Sequence, residues 1–302
     1  LGAIDISGAG GLDLDAAIAN TSGSAGAASL AVTGATALGA DVTTSGTQEY
    51  TGLVTADVAA KRTLTGSTIT LTGGLDGGAQ ALDIAGDLVT GAAMTNITVL
   101  DVSGTASLGG SVTTADSLTI DGTTTVSTDV TLDSTGDQNT DDISLAAVIG
   151  AGGGTQDLIL DAGALAQITA SGSITNLTDI SIRDSGGATF GGAVTASNDF
   201  IISESAGDII FNGALTAGTF TQTADTNTAY NLEFNAGGTI TDAVNFSNAG
   251  TVTIGDGTGT DVMTFTGGLI VTTPTALTLA QTIATTNQTM TLGDGGTGIT
   301  LA

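Results

Sequence analysis

Nearly all the side chains able to do chemistry in this chain of 302 residues are carboxylates, and two stretches space them as a divalent cation would require. In "DSTGDQNTDD" (133–142), Asp133, Thr135, Asp137, Asn139 and Asp141 offer an oxygen at every second residue. This is the alternation of an EF-hand loop, without its turn glycine and terminal glutamate. In "DGTGTDVMT" (256–264), Asp256 and Asp261 fall as in one turn of the glycine-rich calcium nonapeptide, with Asp256 in place of the first glycine. That motif shares each ion between consecutive turns, and here it occurs once. Asp133, Asp137, Asn139, Asp141, Asp256 and Asp261 are thus the candidate metal ligands, and Ca2+ is the one cofactor the sequence offers. The competing reading is a set of acidic turns, since Asp bonds its own backbone there.

Other chemistry is largely excluded. With no His and no Cys, imidazole acid–base catalysis, thiol nucleophiles and the common zinc sites are absent. Asp13/Asp15 and Asp141/Asp142 are carboxylate pairs of the type that cleaves glycosidic bonds. Among so many aspartates, close pairs arise by chance, and a sugar cleft with no Trp lacks its usual platform. The expectation is a non-enzyme. Runs such as "TITLT" (68–72), "TFTQT" (219–223) and "TFT" (264–266) put Thr on one face of a strand. Regular ranks of this kind bind ice, but their spacing along the chain is irregular and strand propensity alone favours outward Thr. Asn20, Asn96, Asn176 and Asn287 open N-x-[ST] sequons, and Lys61-Arg62 reads as a solvated turn.

Thirty acidic residues against three basic ones give a formal net charge of −27. No basic stripe exists to displace counterions from nucleic acid, and an anionic membrane surface would repel the chain. No stretch is a membrane helix, and 3 % aromatics cannot supply the girdles of a membrane barrel. The charge reads chiefly as a coat against sideways aggregation. Of the acidic residues, 27 are Asp and 3 are Glu, which points again to turns.

Stepping from these residues to the elements that hold them, alternation dominates: "SVTTADSLTI" (111–120), "TTTVSTDVTLDS" (123–134), "TDISIRDS" (178–185) and "AVNFSNAGTVTIG" (243–255). Each is a short period-2 run bounded by Gly, Asn, Asp or Ser, hence a strand between tight turns. Only 12–19 and 145–152 could make a turn or two of helix. With 47 Gly and few aromatics, the inward side chains suit a narrow lumen better than a sandwich or propeller core. The predicted fold is all-β, a parallel β-solenoid of about 13 coils, roughly 60 Å long at about 4.8 Å per coil, continuous over 1–302.

One phrase recurs. "LAVTGATALGADVTT" (30–44) and "LDVSGTASLGGSVTT" (100–114) are identical at eight of fifteen positions. An offset of about 70 residues would be three coils of about 23, placing both copies on one face, with Leu30, Val32, Leu38, Val42, Leu100, Val102, Leu108 and Val112 inward and Gly34, Gly39, Gly104 and Gly109 at corners. The pattern L-x-V-[ST]-G-x-x-x-L-G-x-x-V-T-T, continuing as "SGTQEYTGLVT" (45–55) and "TLTGSTITLTGGLDGG" (63–78), resembles the repeats of very large bacterial surface exoproteins of the filamentous-haemagglutinin-like and autotransporter-like type. The second copy departs from it, with "ADSLTI" where the first has "SGTQEY".

The resemblance implies a right-handed parallel β-helix, export to the cell surface and an adhesive or matrix role. The expected function is a non-catalytic structural or adhesive shaft, an interior segment or processed product of a larger secreted protein. Its partners would be neighbouring solenoid segments or identical subunits, and surface glycans or other cells. The alternatives are a filament subunit joined head to tail and a solenoid module binding Ca2+, ice or glycan.

Overall fold

A strand of three residues can point its first and third side chains to one side and the middle one to the other, and this chain repeats that unit throughout. In Thr36–Leu38, Leu118–Ile120, Ile209–Phe211 and Leu232–Phe234, the outer two residues are buried and the central one is half-buried. The computed structural model describes residues 2–8, 10–19, 27–57, 59–134, 138–223 and 229–302, and among them there are strands and no helix. Residues 12–14 and 148–150, inside the two stretches that could have been helical, are strands. They form two compact units, Leu1–Gly136 with Ser144–Ala146, and Asp137–Ile143 with Ala147–Ala302.

Within each unit the chain winds as a parallel β-solenoid with three strands per coil, about 13 turns in all. In the first unit, one face stacks Ala3–Ile6 on Ser29–Val32 and that on Gln48–Tyr50, all in parallel register. A second face pairs Leu12–Leu14 with Thr36–Leu38 and Thr36–Leu38 with Val54–Ala56. A third pairs Leu82 with Leu100 and Leu100 with Leu118. The second unit repeats the scheme: Ile168–Ala170 lies beside Ala188–Phe190, and Ala188–Phe190 beside Ile209–Phe211.

The eight expected inward residues are all buried: Leu30, Val32, Leu38, Val42, Leu100, Val102, Leu108 and Val112. The two copies of the phrase nevertheless lie on different faces. Leu30 pairs with Gln48 on the first face, and Leu100 pairs with Leu118 on the third. The reason is coil length. Leu88 pairs with Ala106 and Ala106 with Thr124, so the coils here take 18 residues, not 23. Eighteen residues over three sides is six per side, and Leu100, Ala106, Val112, Leu118, Thr124 and Val130 are buried in that hexad rhythm. The recurring phrase encodes three consecutive sides with their corners, a unit that can start on any face.

Glycine serves close approach at these corners. A Cβ on Gly52 would come 2.5 Å from the carbonyl oxygen of Gly34, and one on Gly122 equally near that of Gly104. Coils about 4.8 Å apart leave no room there for a side chain. The interior changes character along the chain. In the first unit it is aliphatic around Gln48, whose amide donates to the carbonyls of Thr65 (2.8 Å) and Val42 (3.2 Å) and accepts from the Tyr50 hydroxyl (2.9 Å). In the second unit all seven Phe of the chain are buried. Phe190, Phe211 and Phe234 stack coil upon coil at 5.2 and 5.3 Å between ring centroids, and Phe200 stacks on Phe220 at 5.9 Å.

Two inward hydroxyls, Thr36 Oγ1 and Thr124 Oγ1, are buried without a hydrogen-bond partner. A buried unsatisfied hydroxyl costs free energy that an isosteric methyl does not. Thr124→Val is therefore expected to raise stability by about 1 kcal/mol, measured by urea unfolding. An equal loss would show that the hydroxyl is satisfied.

Candidate functional site

The acidic residues are organised first by the backbone. At several corners an amide at the start of a strand bonds a carboxylate of the preceding coil. Asp41 accepts from the Thr63 amide (3.0 Å), Asp87 from Thr105 (2.8 Å), Asp142 from Gln167 (2.7 Å), Asp157 from Asp179 (3.2 Å) and Asp179 from Asp199 (2.9 Å). Asp208 does the same for Asn231, and Asn231 in turn accepts from the Thr251 amide through its side-chain oxygen. The short Asp side chain reaches one coil along and no further, which accounts for the scarcity of Glu. These are rung-to-rung bonds, and beside them Asp76, Asp256 and Asp294 close local turns of the kind the sequence suggests, accepting from the amides of Gly78, Thr258 and Gly296.

The metal candidates are dispersed. Asp133 ends the strand Val130–Asp133 in the first unit, half-buried. Asp137 lies outside the described residues. Asn139 is exposed, and Asp141 is buried, its carboxylate accepting from the Gln138 amide at 2.7 Å, as in a local turn. Asp256 and Asp261 sit on an exposed corner with Gly255, Gly257 and Gly259 at positive φ. Asp256 already accepts from the amide and hydroxyl of Thr258 (2.7 and 2.8 Å), which hold its carboxyl below the usual carboxylate range. Among the described residues no three carboxylates converge as a metal would need.

One juxtaposition escaped the sequence. On the third face of the first unit, Thr63, Asp83 and Asp101 stand on successive coils, and Asp83 and Asp101 line a shallow depression with Ile84, Ala85 and Ser103. Lys61 binds Asp83 at 2.6 Å. Asp101 is left facing Asp83 and Asp121, and burial followed by these like charges pushes its carboxyl upward against the counter-pull of Lys61. Asp76, accepting from the Gly78 amide and the Asn96 side chain, is pulled downward. The 18-residue spacing of Asp83 and Asp101 is the signal that could have found the pair, given the true coil length.

Arg62 corrects another expectation. It occupies an inward position, paired with Leu82, and is 6 % exposed, not a solvated turn. Its guanidinium donates to the carbonyls of Leu38 (3.2 Å) and Lys61 (2.9 Å), while Arg183 meets the buried Asp161 at 3.3 Å. The sequons also acquire a structural reason. Asn96, Asn176 and Asn287 all adopt positive φ, the left-handed conformation that Asn tolerates better than other side chains. In "MTNI" (94–97) and "ITNL" (174–177) that residue shifts the register, so that Met94 and Ile97, and Ile174 and Leu177, are both buried three apart. Asn20 lies outside the described residues.

No protein-family model, curated protein or solved structure matches the chain. What the arrangement can do is therefore read from its geometry. Several carboxylates bond the neighbouring coil and others close local turns, and on the third face of the first unit the Asp83–Asp101 pair is partly neutralised by Lys61.

Asp101 and Asp76 give opposite pH dependences. A carboxyl raised in the folded state binds its proton more tightly there, so its contribution falls as pH rises from the ordinary carboxylate value through the raised one. A lowered carboxyl contributes above the ordinary value and loses that contribution as pH falls through its own. Asp101→Asn should raise Tm at pH 7 and Asp76→Asn should lower it, with both differences shrinking towards pH 3. Melting curves across that range check the signs. For Arg62, Arg62→Met replaces a buried charge with an apolar side chain of similar length and is expected to leave stability unchanged or higher, whereas Arg62→Asp should prevent folding. Circular dichroism and urea unfolding distinguish these outcomes.

Proposed function

We propose that this chain is a non-catalytic structural shaft of a secreted bacterial surface protein, holding or presenting an adhesive surface. The observation that carries the reading is the parallel stacking within each unit, in which a coil is the template for the next and acidic side chains at corners bond the neighbouring coil. A coil-by-coil solenoid resists pulling as a series of similar rungs. Three basic residues in 302 give trypsin-like proteases few sites, and the coat of Asp discourages lateral association.

The partners that fit this reading are neighbouring solenoid segments or identical subunits, and the second would make the protein a filament subunit.

Single-molecule extension tests the mechanical role. Each coil of 18 to 26 residues should yield as a separate step of roughly 60–90 Å, at about 3.4 Å per residue released. Collapse of the whole chain at low force in one event would remove the shaft reading. Shaving intact source cells with a broad-specificity protease and identifying the released peptides tests the location. Protection until the cells are lysed would overturn it.

A further inference from the structure

One face of the second unit differs from the rest of this acidic molecule. Five consecutive strands of it, Ile174–Leu177, Val194–Ala196, Leu215–Ala217, Gly238–Ile240 and Val262–Phe265, contain no charged residue and each carries an outward threonine. The ladder continues on either side into Val148–Gly150 and Thr282–Ala284, where Ile149 and Ala284 take the threonine's place. Thr195 pairs with Thr216, Thr216 with Thr239 and Thr239 with Thr264, and Thr175 follows Ile174, the partner of Val194, as Thr195 follows Val194. Along the chain these threonines stand 20 to 25 residues apart, and the corners absorb the difference. In space they form one rank, repeating at about 4.8 Å.

A second rank runs beside it at the following corner. The amide of Thr241 bonds the carbonyl before Gly218, and that of Thr266 bonds the carbonyl before Thr241, so Ser197, Gly218, Thr241 and Thr266 are in step. The flank on the other side is Ala193, Ala214 and Gly237. Beneath the ranks, Val194, Leu215, Ile240, Met263 and Phe265 are fully buried, which makes the backing rigid.

The hydroxyls are uncommitted. Some Thr hydroxyls of this chain, those of Thr44, Thr114, Thr251 and Thr297, bond neighbouring groups of the protein. None of Thr175, Thr195, Thr216, Thr239 and Thr264 makes a side-chain hydrogen bond within the described residues. Thr216 is exposed and the other four are half-buried, on strands without a charged side chain. Ion pairing has nothing to act on here, and a sugar ring has no aromatic platform on which to stack.

We propose that this face binds ice, its threonine hydroxyls anchoring lattice waters and its methyls sitting between them. The rung repeat is close to an oxygen repeat of the ice lattice, and a rigid row holds several waters in step where a flexible loop would not. The inference stands on this face alone and is independent of the shaft reading.

Ice-affinity partitioning of the 302-residue chain tests it. The unaltered chain should be enriched in a slowly grown ice phase. Thr216→Lys and Thr239→Lys, which place a bulky charge in the middle of the rank, should be excluded from the ice with Tm unchanged. Thr119→Lys, an equivalent outward substitution in the first unit, should still partition into ice. Exclusion of the unaltered chain overturns the proposal, as does equal loss in Thr119→Lys. Retention on crystalline cellulose with no partition into ice would also overturn it, in favour of a polysaccharide surface. If either Lys variant melts early, Thr216→Val supplies the test: it keeps shape and methyl, and unaltered ice partition there would show that the hydroxyl does not anchor water.

Discussion

Each coil of this protein exists because the coil beside it supplies its hydrogen bonds. A strand of three residues satisfies none of its own backbone, so every inward side chain must sit over another inward side chain if the ladder is to close. From this single requirement follow the small lumen residues, the glycines where backbones nearly touch, and the use of carboxylates as acceptors for amides at corners. Because side chains alternate strictly, a slip of one residue would turn a whole side inside out. The positive-φ asparagines at 96 and 176 show how the chain tolerates an odd residue: they place a bulge that restores the inward phase.

The same requirement sets the electrostatics. A net charge of −27 works against compaction, yet aspartates at several corners lean on backbone amides of the next coil. Where two meet on adjacent coils, Lys61 is placed against one of them, and the other, Asp101, takes up the remaining repulsion. The three cations are each engaged by the protein: exposed Lys61 with Asp83, exposed Arg183 with Asp161, and buried Arg62 with the carbonyls of Leu38 and Lys61. None remains as a patch for an anionic partner among the described residues.

The fold was legible in the sequence because alternation, small apolar residues and turn residues all favour stacked short strands. Coil length was not. The repeated phrase at 30 and 100 suggested a multiple of 23, whereas the hexad of buried positions from Leu100 to Val130 shows six residues per side. A repeat taken as a whole coil hid the shorter period beneath it. Candidate sites were less legible for the same reason. Neighbours on a solenoid face are one coil apart in sequence, so Asp83 beside Asp101, or Thr216 beside Thr239, emerge only once coil lengths are known, and these vary. Motifs within one corner, such as 256–264, could be seen but proved to be local turns. Arg62 was hidden by its polarity, which masks an inward position flanked by an inward Leu64.

The variation in coil length is accommodated outside the strands. Between Val148–Gly150 and Leu158–Gly163, residues 151–157 leave the side, and Asn176 and Thr178 of the next coil bind the excursion through the carbonyls of Gly150 and Gly154. The flanking strands keep their register with the following coil despite a separation of 26 residues. A corner of this kind is a mounting point: foreign peptide could be spliced there and be held at a defined height along the stack, with the hydrophobic interior unaware of it.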